Sequence, residues 1–373
     1  MFSFQHTTQL TLYRRRRPQG TQHNLILLLD IFSLLAHAHA QSSAIDMVLT
    51  ALISDDHSGI MIPIPQYPIY SALIARLGGR QVGYYLDESI GWAVTPQELD
   101  EKLYQAQNDG IEVKALAIIN PGNPTGQVYS RKDLEVICKF CAQRDIVLLA
   151  DEVYQRNVYA EDKEFVSAKK VALETAGCEK LQLVSFHSTS KGLIGECGRR
   201  GGYMEMHNIC PYVQSQIYKL ASSGLCSGMA GQIMTSLMVT PPQPGDESYE
   251  KFAAEEGVIF ERLKTNAKAL VKGLNEVDGI DCVQAEGAMY AFPRIELPEK
   301  AIAQAEKKEM SPDTLYAISL LEETGICVVP ASGFGQKEGR YGFRTTFLPA
   351  EDKIAKAIGE IKRHHELFCQ KYA

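Results

Sequence analysis

No second Cys-x-x-Cys accompanies Cys138-Lys-Phe-Cys141, so that pair has metal-ligand spacing without the other half of a metal site. It falls in Arg131–Arg144, a segment that reads as a helix, where two buried free thiols are the expectation and a metal is not. The nine cysteines are odd in number and scattered, with no disulfide framework. That suits a reducing compartment: the cytoplasm is expected, with the mitochondrial matrix as the alternative. An excess of positive charge is lacking too. Lys+Arg number 38 against 45 Asp+Glu, a net charge of −7, and no basic patch lies beyond the N-terminus. Both facts argue against a nucleic-acid partner. No apolar run is long and unbroken enough to cross a membrane, and neither internal repeats nor low-complexity tracts occur. What remains is 373 residues, 45% hydrophobic and 22% charged, enough for a large core and more than one domain.

Apolar spacing orders that chain. Ile45, Val48, Leu49, Leu52 and Ile53 predict a helix over Ser42–Ser54. Strands are predicted at Ile60–Pro65, Gln81–Leu86, Ala115–Asn120, Ile146–Ala150 and Leu181–Phe186, with helices between them at Tyr70–Leu77, Pro96–Gln107 and Arg131–Arg144. Such alternation implies an α/β fold, a mostly parallel sheet sandwiched by helices. The texture changes at the turn cluster Pro241–Asp246, after which Ser248–Glu276 reads as one long amphipathic helix. The tail has short strands at Asp281–Gln284, Met289–Pro293, Ile326–Val329 and Tyr341–Thr346, and helices at Pro312–Thr324 and Lys353–Lys371. The expected organisation is an atypical segment 1–41, a large α/β domain 42–247, a connecting helix 248–278 and a small α+β domain 279–373.

The chemistry centres on Lys191. It follows the strand through Phe186 and the hydroxyls of Ser188-Thr-Ser190, and it precedes Gly-Leu-Ile-Gly-Glu-Cys-Gly-Arg199-Arg200-Gly-Gly202. An amine beside hydroxyls, with guanidinium groups close behind, suits a Schiff base to pyridoxal 5′-phosphate (PLP) and a cup for that cofactor's phosphate. Two other strands end in matching groups. Ala115–Asn120 runs into Pro121-Gly-Asn-Pro-Thr-Gly126, a rigid turn that holds Asn123 where its amide can donate to a phenolate oxygen. Ile146–Ala150 ends in Asp151-Glu-Val-Tyr154. An acid at the carboxyl end of a strand in an open α/β sheet lies where ligands bind. There Asp151 can pair with a protonated pyridine nitrogen, staying ionised against the cation, and Tyr154 can reach the ring hydroxyl oxygen beside Asn123. Taken singly, each has a plainer reading, such as a helix cap for Asp151.

The ordered set Asn123, Asp151, Tyr154, Ser188, Lys191, Arg200 resembles the fold-type-I PLP-dependent aminotransferases, and within them most of all the alanine-aminotransferase branch. The resemblance runs from about Gly59 to Tyr372. It is carried by Pro63–Ser71, Asn120–Gln127, Ser185–Gly202, Glu286-Gly-Ala-Met-Tyr290, Leu320–Pro330 and Gly333-Phe-Gly-Gln336. It implies a large PLP domain with a smaller C-terminal one, small-molecule amino acids and 2-oxo acids as substrates, and a homodimer. The reaction it implies is L-alanine with 2-oxoglutarate giving pyruvate and L-glutamate. Glutamate–glyoxylate transamination and a non-catalytic paralogue acting through dimerisation are the alternatives. By the same resemblance Ser188 matches the hydroxyl three residues before the lysine, Arg200 rather than Arg199 the phosphate arginine, and Tyr67 the aromatic stacked on the ring. Arg344, in Tyr341-Gly-Phe-Arg-Thr-Thr-Phe, is expected to fork onto the substrate carboxylate, against the alternative of an internal salt bridge. His187 reads as scaffolding and Glu152 as a cap or orienting group.

The N-terminus departs from that pattern. Residues 1–29 hold no acid, Arg14–Arg17 form a basic run, and apolar stretches around Asp30 lead to Ala36-His-Ala-His-Ala40-Gln41. A truncated or altered start, a transit peptide and a secretory signal are three readings of it. Relatives carry a Gly-Ala phosphate loop where this chain has Ala40-Gln41, so weaker cofactor retention is expected. Ala331 stands where relatives have glycine, and strain is expected there if the backbone takes a positive φ.

Overall fold

A computed structural model describes residues 34–36, 41–224 and 228–373. The N-terminal basic and apolar runs lie outside the described residues. The main sheet has seven strands in the order β1-β7-β6-β5-β4-β2-β3. These are β1 (Leu34–Ala36), β2 (Ser58–Ile64), β3 (Arg80–Tyr85), β4 (Glu112–Ile119), β5 (Val147–Asp151), β6 (Leu183–Ser188) and β7 (Gly202–His207). Strands β3, β2, β4, β5 and β6 run parallel, while β7 pairs antiparallel with β6. The sheet is therefore mostly parallel, as expected, but β7 was not foreseen. Its alternation of buried and half-buried residues is a strand signal that begins where the glycine- and arginine-rich segment after Lys191 ends.

Period-two alternation sorts the side chains of the central strands. Leu116 and Ile118 of β4, with Leu148 and Ala150 of β5, join a core with helices α3 (Pro96–Asn108), α4 (Arg131–Arg144) and α5 (Ala168–Glu174). Ala115, Ala117 and Ile119, with Val147 and Leu149, face the other way. There they meet α1 (Gln41–Leu52), α2 (Ile69–Leu77) and α6 (Pro211–Ser222). Strands buried on both faces read as continuous apolar runs, which is why β4 and β5 were legible. The helices start where local chemistry starts them. Thr95 accepts from the Glu98 N–H ahead of Pro96 in α3, and Ser130 forms a capping box with Asp133 in α4.

Helix α7 (Met229–Val239) precedes the long α8 (Tyr249–Asn275). A separate core gathers Leu263, Leu270 and Leu274 of α8 with Tyr316, Phe343, Phe347 and Phe368. The strands here are β8 (Ile280–Asp281), β9 (Tyr290–Ala291), β10 (Arg294–Ile295), β11 (Val329–Pro330) and β12 (Phe343–Thr346); β10 was not foreseen and the other four are shorter than expected. Helix α9 (Glu299–Lys307) was not foreseen, whereas α10 (Pro312–Thr324) and α11 (Glu351–Lys371) fall where periodicity puts them. Ala331 opens a 3-10 turn, Ala331–Phe334, and is absent from the residues with positive φ, so the conditional strain at that position does not arise. Among the described residues no helix is long and apolar enough to cross a membrane. The eight described cysteines are free, and burial pushes the Cys138 thiol up to about 12.

Candidate active site

Parallel pairing brings three strand ends side by side. Ile119 of β4 stands opposite Asp151 of β5, which stands opposite Phe186 of β6, two residues before Ser188. Carboxyl ends of parallel strands are where an open α/β sheet places its ligands. A cavity of about 280 Å³ opens there. Its lining includes Tyr67, Asn123, Asp151, Tyr154, Ser188, Lys191 and Arg200, which gathers every residue expected to hold the cofactor. A larger hollow of about 640 Å³ lies elsewhere, around Lys114 and Arg144. Both of those cations are already paired, with Glu112 and Asp100 respectively.

The turn after β4 is pinned from several directions. Asn120 N–H donates to the Asp151 carbonyl at 2.9 Å, and the Asn120 side-chain oxygen accepts from Tyr129 N–H at 3.1 Å. Gly126, at φ +73°, turns its carbonyl onto the N–H groups of Glu286 and Gly287 at 3.0 and 2.8 Å. Glu286 in turn accepts from Val128 N–H at 2.8 Å and pairs with Lys163 at 2.8 Å. Asn123 is thus buried on a fixed backbone, and its carbonyl accepts from Tyr67 N–H at 3.1 Å. Tyr67 keeps 43% of its surface exposed, so one ring face is open to a ligand.

Asp151 is buried at the end of β5, and its Oδ1 accepts from Val153 N–H at 3.4 Å. Burial raises its carboxyl to about 6, with the Gln41 amide and that N–H pulling the other way. The carboxylate therefore needs a cation to stay ionised comfortably, and no protein cation supplies one among its described hydrogen bonds and charges. Glu152 accepts from Ala168 N–H at 2.7 Å and so caps the start of α5, as expected, with burial raising it to about 7. His187 is buried against Tyr203, and its pKa falls to about 4, first through burial and then through Arg156. It stays neutral near pH 7, which fits scaffolding.

The segment after β6 separates two hydroxyls that look alike in sequence. Ser188 Oγ donates to the Gly201 carbonyl at 3.1 Å and accepts from Ser190 N–H at 3.0 Å, so it ties the loop together. Ser190 Oγ is buried without a hydrogen-bond partner and also lines the cavity. The Lys191 amine, half-buried at the same place, has neither ion pair nor hydrogen bond among the described residues. Arg199 turns to Glu196 at 3.6 Å, whereas Arg200 lines the cavity and rests one N–H on the Cys197 carbonyl at 3.0 Å. An unpartnered amine, an orphaned hydroxyl, a buried carboxylate and a guanidinium around one cavity fit a phosphorylated, aldehyde-bearing heterocycle.

Arg344 approaches from β12. Its Nη1 donates to Asn123 Oδ1 at 2.9 Å, and its guanidinium lies over the rings of Tyr290 and Phe334 at 4.3 and 4.9 Å. It makes no ion pair among the described residues, so the internal salt bridge is not formed. Sequence reading missed Gln41 and Ile45, which line the cavity from α1, and gave Tyr290 no role. A helix start two residues from Ser43 was a usable signal for Gln41. Nothing local marks Tyr290.

Residues 41–361 match the profile of the family described as aminotransferase class I and II. The chain belongs to that family, whose cofactor is pyridoxal phosphate. It is similar to alanine aminotransferase 1, mitochondrial, of Arabidopsis thaliana, 51% identical over 89% of this chain and 61% of that protein. It is similar also to glutamate–glyoxylate aminotransferase 1 of the same organism, 46% identical over 89% of this chain and 69% of that one. Among solved structures, alanine aminotransferase from Pyrococcus furiosus superposes with a TM-score of 0.75 at 26% identity, covering 90% of this chain and 77% of that one. The fold is that of the fold-type-I aminotransferases. The chain spans about three fifths of the length of the first of these relatives.

Proposed function

We propose that this chain is a PLP-dependent aminotransferase acting on L-alanine and 2-oxoglutarate to give pyruvate and L-glutamate. The observation that carries the reading is the free Lys191 amine in a cavity shared with buried Asp151, in a chain 51% identical to an alanine aminotransferase. Lys191 anchors the cofactor covalently. Asp151 would hold the pyridine nitrogen, Asn123 and Tyr154 the ring hydroxyl, Ser190 and Arg200 the phosphate on the loop that Ser188 ties together, and Tyr67 a ring face. When bound, PLP supplies a ring that takes up the charge left on the substrate α-carbon. Lys191 Nζ would take the proton from the substrate α-carbon and deliver it to the carbon of the cofactor's aldehyde group, as amino-group transfer requires. Arg344 forks onto the substrate carboxylate, at a site that serves amino acid and oxo acid alike.

A homodimer fits the surface. Met229, Ile233 and Leu237 of α7 are spaced along one helix stripe and are each more than half exposed, with Tyr212 of α6 also open. A cytoplasmic location fits the free thiols, and the mitochondrial matrix is the alternative that the relative's name favours.

The second reading, glutamate–glyoxylate transamination, rests on the 46% identity to that enzyme. Purified protein supplied with PLP and assayed on both substrate pairs decides between them. Faster turnover on alanine with 2-oxoglutarate supports the first. Faster turnover on glutamate with glyoxylate replaces it with the second. No turnover on either, with no cofactor attached to Lys191, leaves a non-catalytic paralogue.

A further inference from the structure

Tyr290 touches both halves of the site without lining the cavity. It belongs to β9, where it stands opposite Thr346 of β12. Arg344 is two residues along that strand, on the same sheet face and within diagonal reach of an aromatic ring. The result is the guanidinium at 4.3 Å over the Tyr290 ring. At the other end of the same side chain, the Tyr290 hydroxyl is 3.1 Å from that of Tyr154, and the two rings meet edge to face at 86°. Both tyrosines are buried. Burial first, and then the Tyr290 hydroxyl, hold Tyr154 protonated well above the ordinary tyrosine range. The phenol is thus a neutral hydrogen-bonding group in this contact.

We infer that Tyr290 is a positioning residue that couples the two halves of the site, its hydroxyl fixing the Tyr154 phenol and its ring seating the Arg344 guanidinium. This rests on the reading above of Tyr154 as a cofactor ligand and Arg344 as the carboxylate ligand. A phenol that receives a hydrogen bond is a stronger donor, because linked hydrogen bonds polarise one another. Removing the Tyr290 hydroxyl weakens the hold of Tyr154 on negative charge at the cofactor ring. That charge then holds the proton of the Lys191 linkage more tightly. Removing the ring as well takes away the nearer of the guanidinium's two aromatic faces and leaves it Phe334 and the Asn123 amide.

Two variants and two measurements test this. In the holoenzyme, Tyr290→Phe keeps the ring and loses the hydroxyl. It should raise the pH midpoint of the Lys191-bound cofactor's absorbance change by about half a unit to one unit, the size of one neutral hydrogen bond. Affinity for glutarate, the unreactive dicarboxylate skeleton of 2-oxoglutarate, should stay within about twofold, because the ring is kept. Tyr290→Leu should move the midpoint likewise and weaken glutarate binding about fivefold or more. An unmoved midpoint in the Phe variant, or native glutarate affinity in the Leu variant, overturns the assignment. In the apoprotein, a double-mutant cycle of Tyr154→Phe and Tyr290→Phe on unfolding should be non-additive by roughly fivefold in the equilibrium constant. Additivity removes the hydroxyl contact whatever the cofactor does. If native protein takes no PLP on Lys191, the functional reading fails, and the positioning role falls with it while the cycle still reports the contact.

Discussion

Arg344 Nη1 donates to Asn123 Oδ1 at 2.9 Å, joining β12 to the turn after β4 across 221 residues of chain. One amide therefore meets the group expected to bind substrate and lines the cavity expected to hold the cofactor. Arg344→Lys replaces a planar fork with a point charge and leaves Asn123 Oδ1 with a poorer donor. The Michaelis constants for amino acid and oxo acid should rise together, each by about tenfold (about 1.4 kcal/mol). Steady-state kinetics on both half-reactions checks this, and unchanged constants for both move the carboxylate site elsewhere.

Lys191 is expected to carry the cofactor because it is the lysine that lines the cavity and its amine has no partner among the described residues. Borohydride reduction followed by peptide mapping should place the pyridoxyl label on Lys191. Lys191→Ala should lose the label and the turnover but keep the fold. A label on another lysine ends the assignment.

Asp151 sets a pH dependence of defined sign. Its carboxyl titrates near 6 when folded, above the ordinary 3.8. Between those values the folded state keeps a proton that the unfolded chain has lost, so stability falls as pH rises from about 4 to about 6. Asp151→Asn removes that penalty. The apoprotein variant should gain about 1–3 kcal/mol over native above pH 7, with the gain vanishing near pH 4. Urea midpoints measured across pH read the difference. Glu152, raised to about 7 by burial and in part by the Asp151 charge, acts in the same direction over a higher window, and loss of that charge in the variant adds to the gain. Turnover should nevertheless fall by several orders of magnitude, which separates the functional carboxylate from a merely uncomfortable one.

Gly126 is held at φ +73°, and a Cβ there meets Ala285 Cβ and the Tyr290 carbonyl, each at 3.2 Å. Gly126→Ala should destabilise the protein by about 1–3 kcal/mol, through backbone strain and that crowding. Because the same turn carries Asn123, PLP affinity should fall with it. Calorimetry and cofactor titration of one preparation measure both, and a variant as stable as native means that the turn relaxes.

Local signals account for much of the fold. The apolar runs at β4 and β5 are buried on both faces, and α4 and α10 have caps and periodicity that mark both ends, so their positions were legible. The seven-residue α5 and the two-residue strands of the C-terminal core lack enough residues to show a period. They exist because packing and pairing with distant segments stabilise them. Strand β7 has a period, but its glycine- and arginine-rich approach resembles a loop.

The candidate site residues are marked in the sequence itself: an amine after hydroxyls, an acid at a strand end, an asparagine in a proline-bound turn. Which of two neighbours is left facing the cavity was decided by tertiary structure. Ser188 spends its hydroxyl on the Gly201 carbonyl while that of Ser190 is left for the cavity, and Arg199 turns to Glu196 while Arg200 does not. Hydrogen bonds of this kind depend on direction, and direction is set by the backbone only after β6, β7 and the loop between them have packed. The placement of Tyr290 between Tyr154 and Arg344 depends on the β9–β12 register, which no stretch of sequence contains by itself.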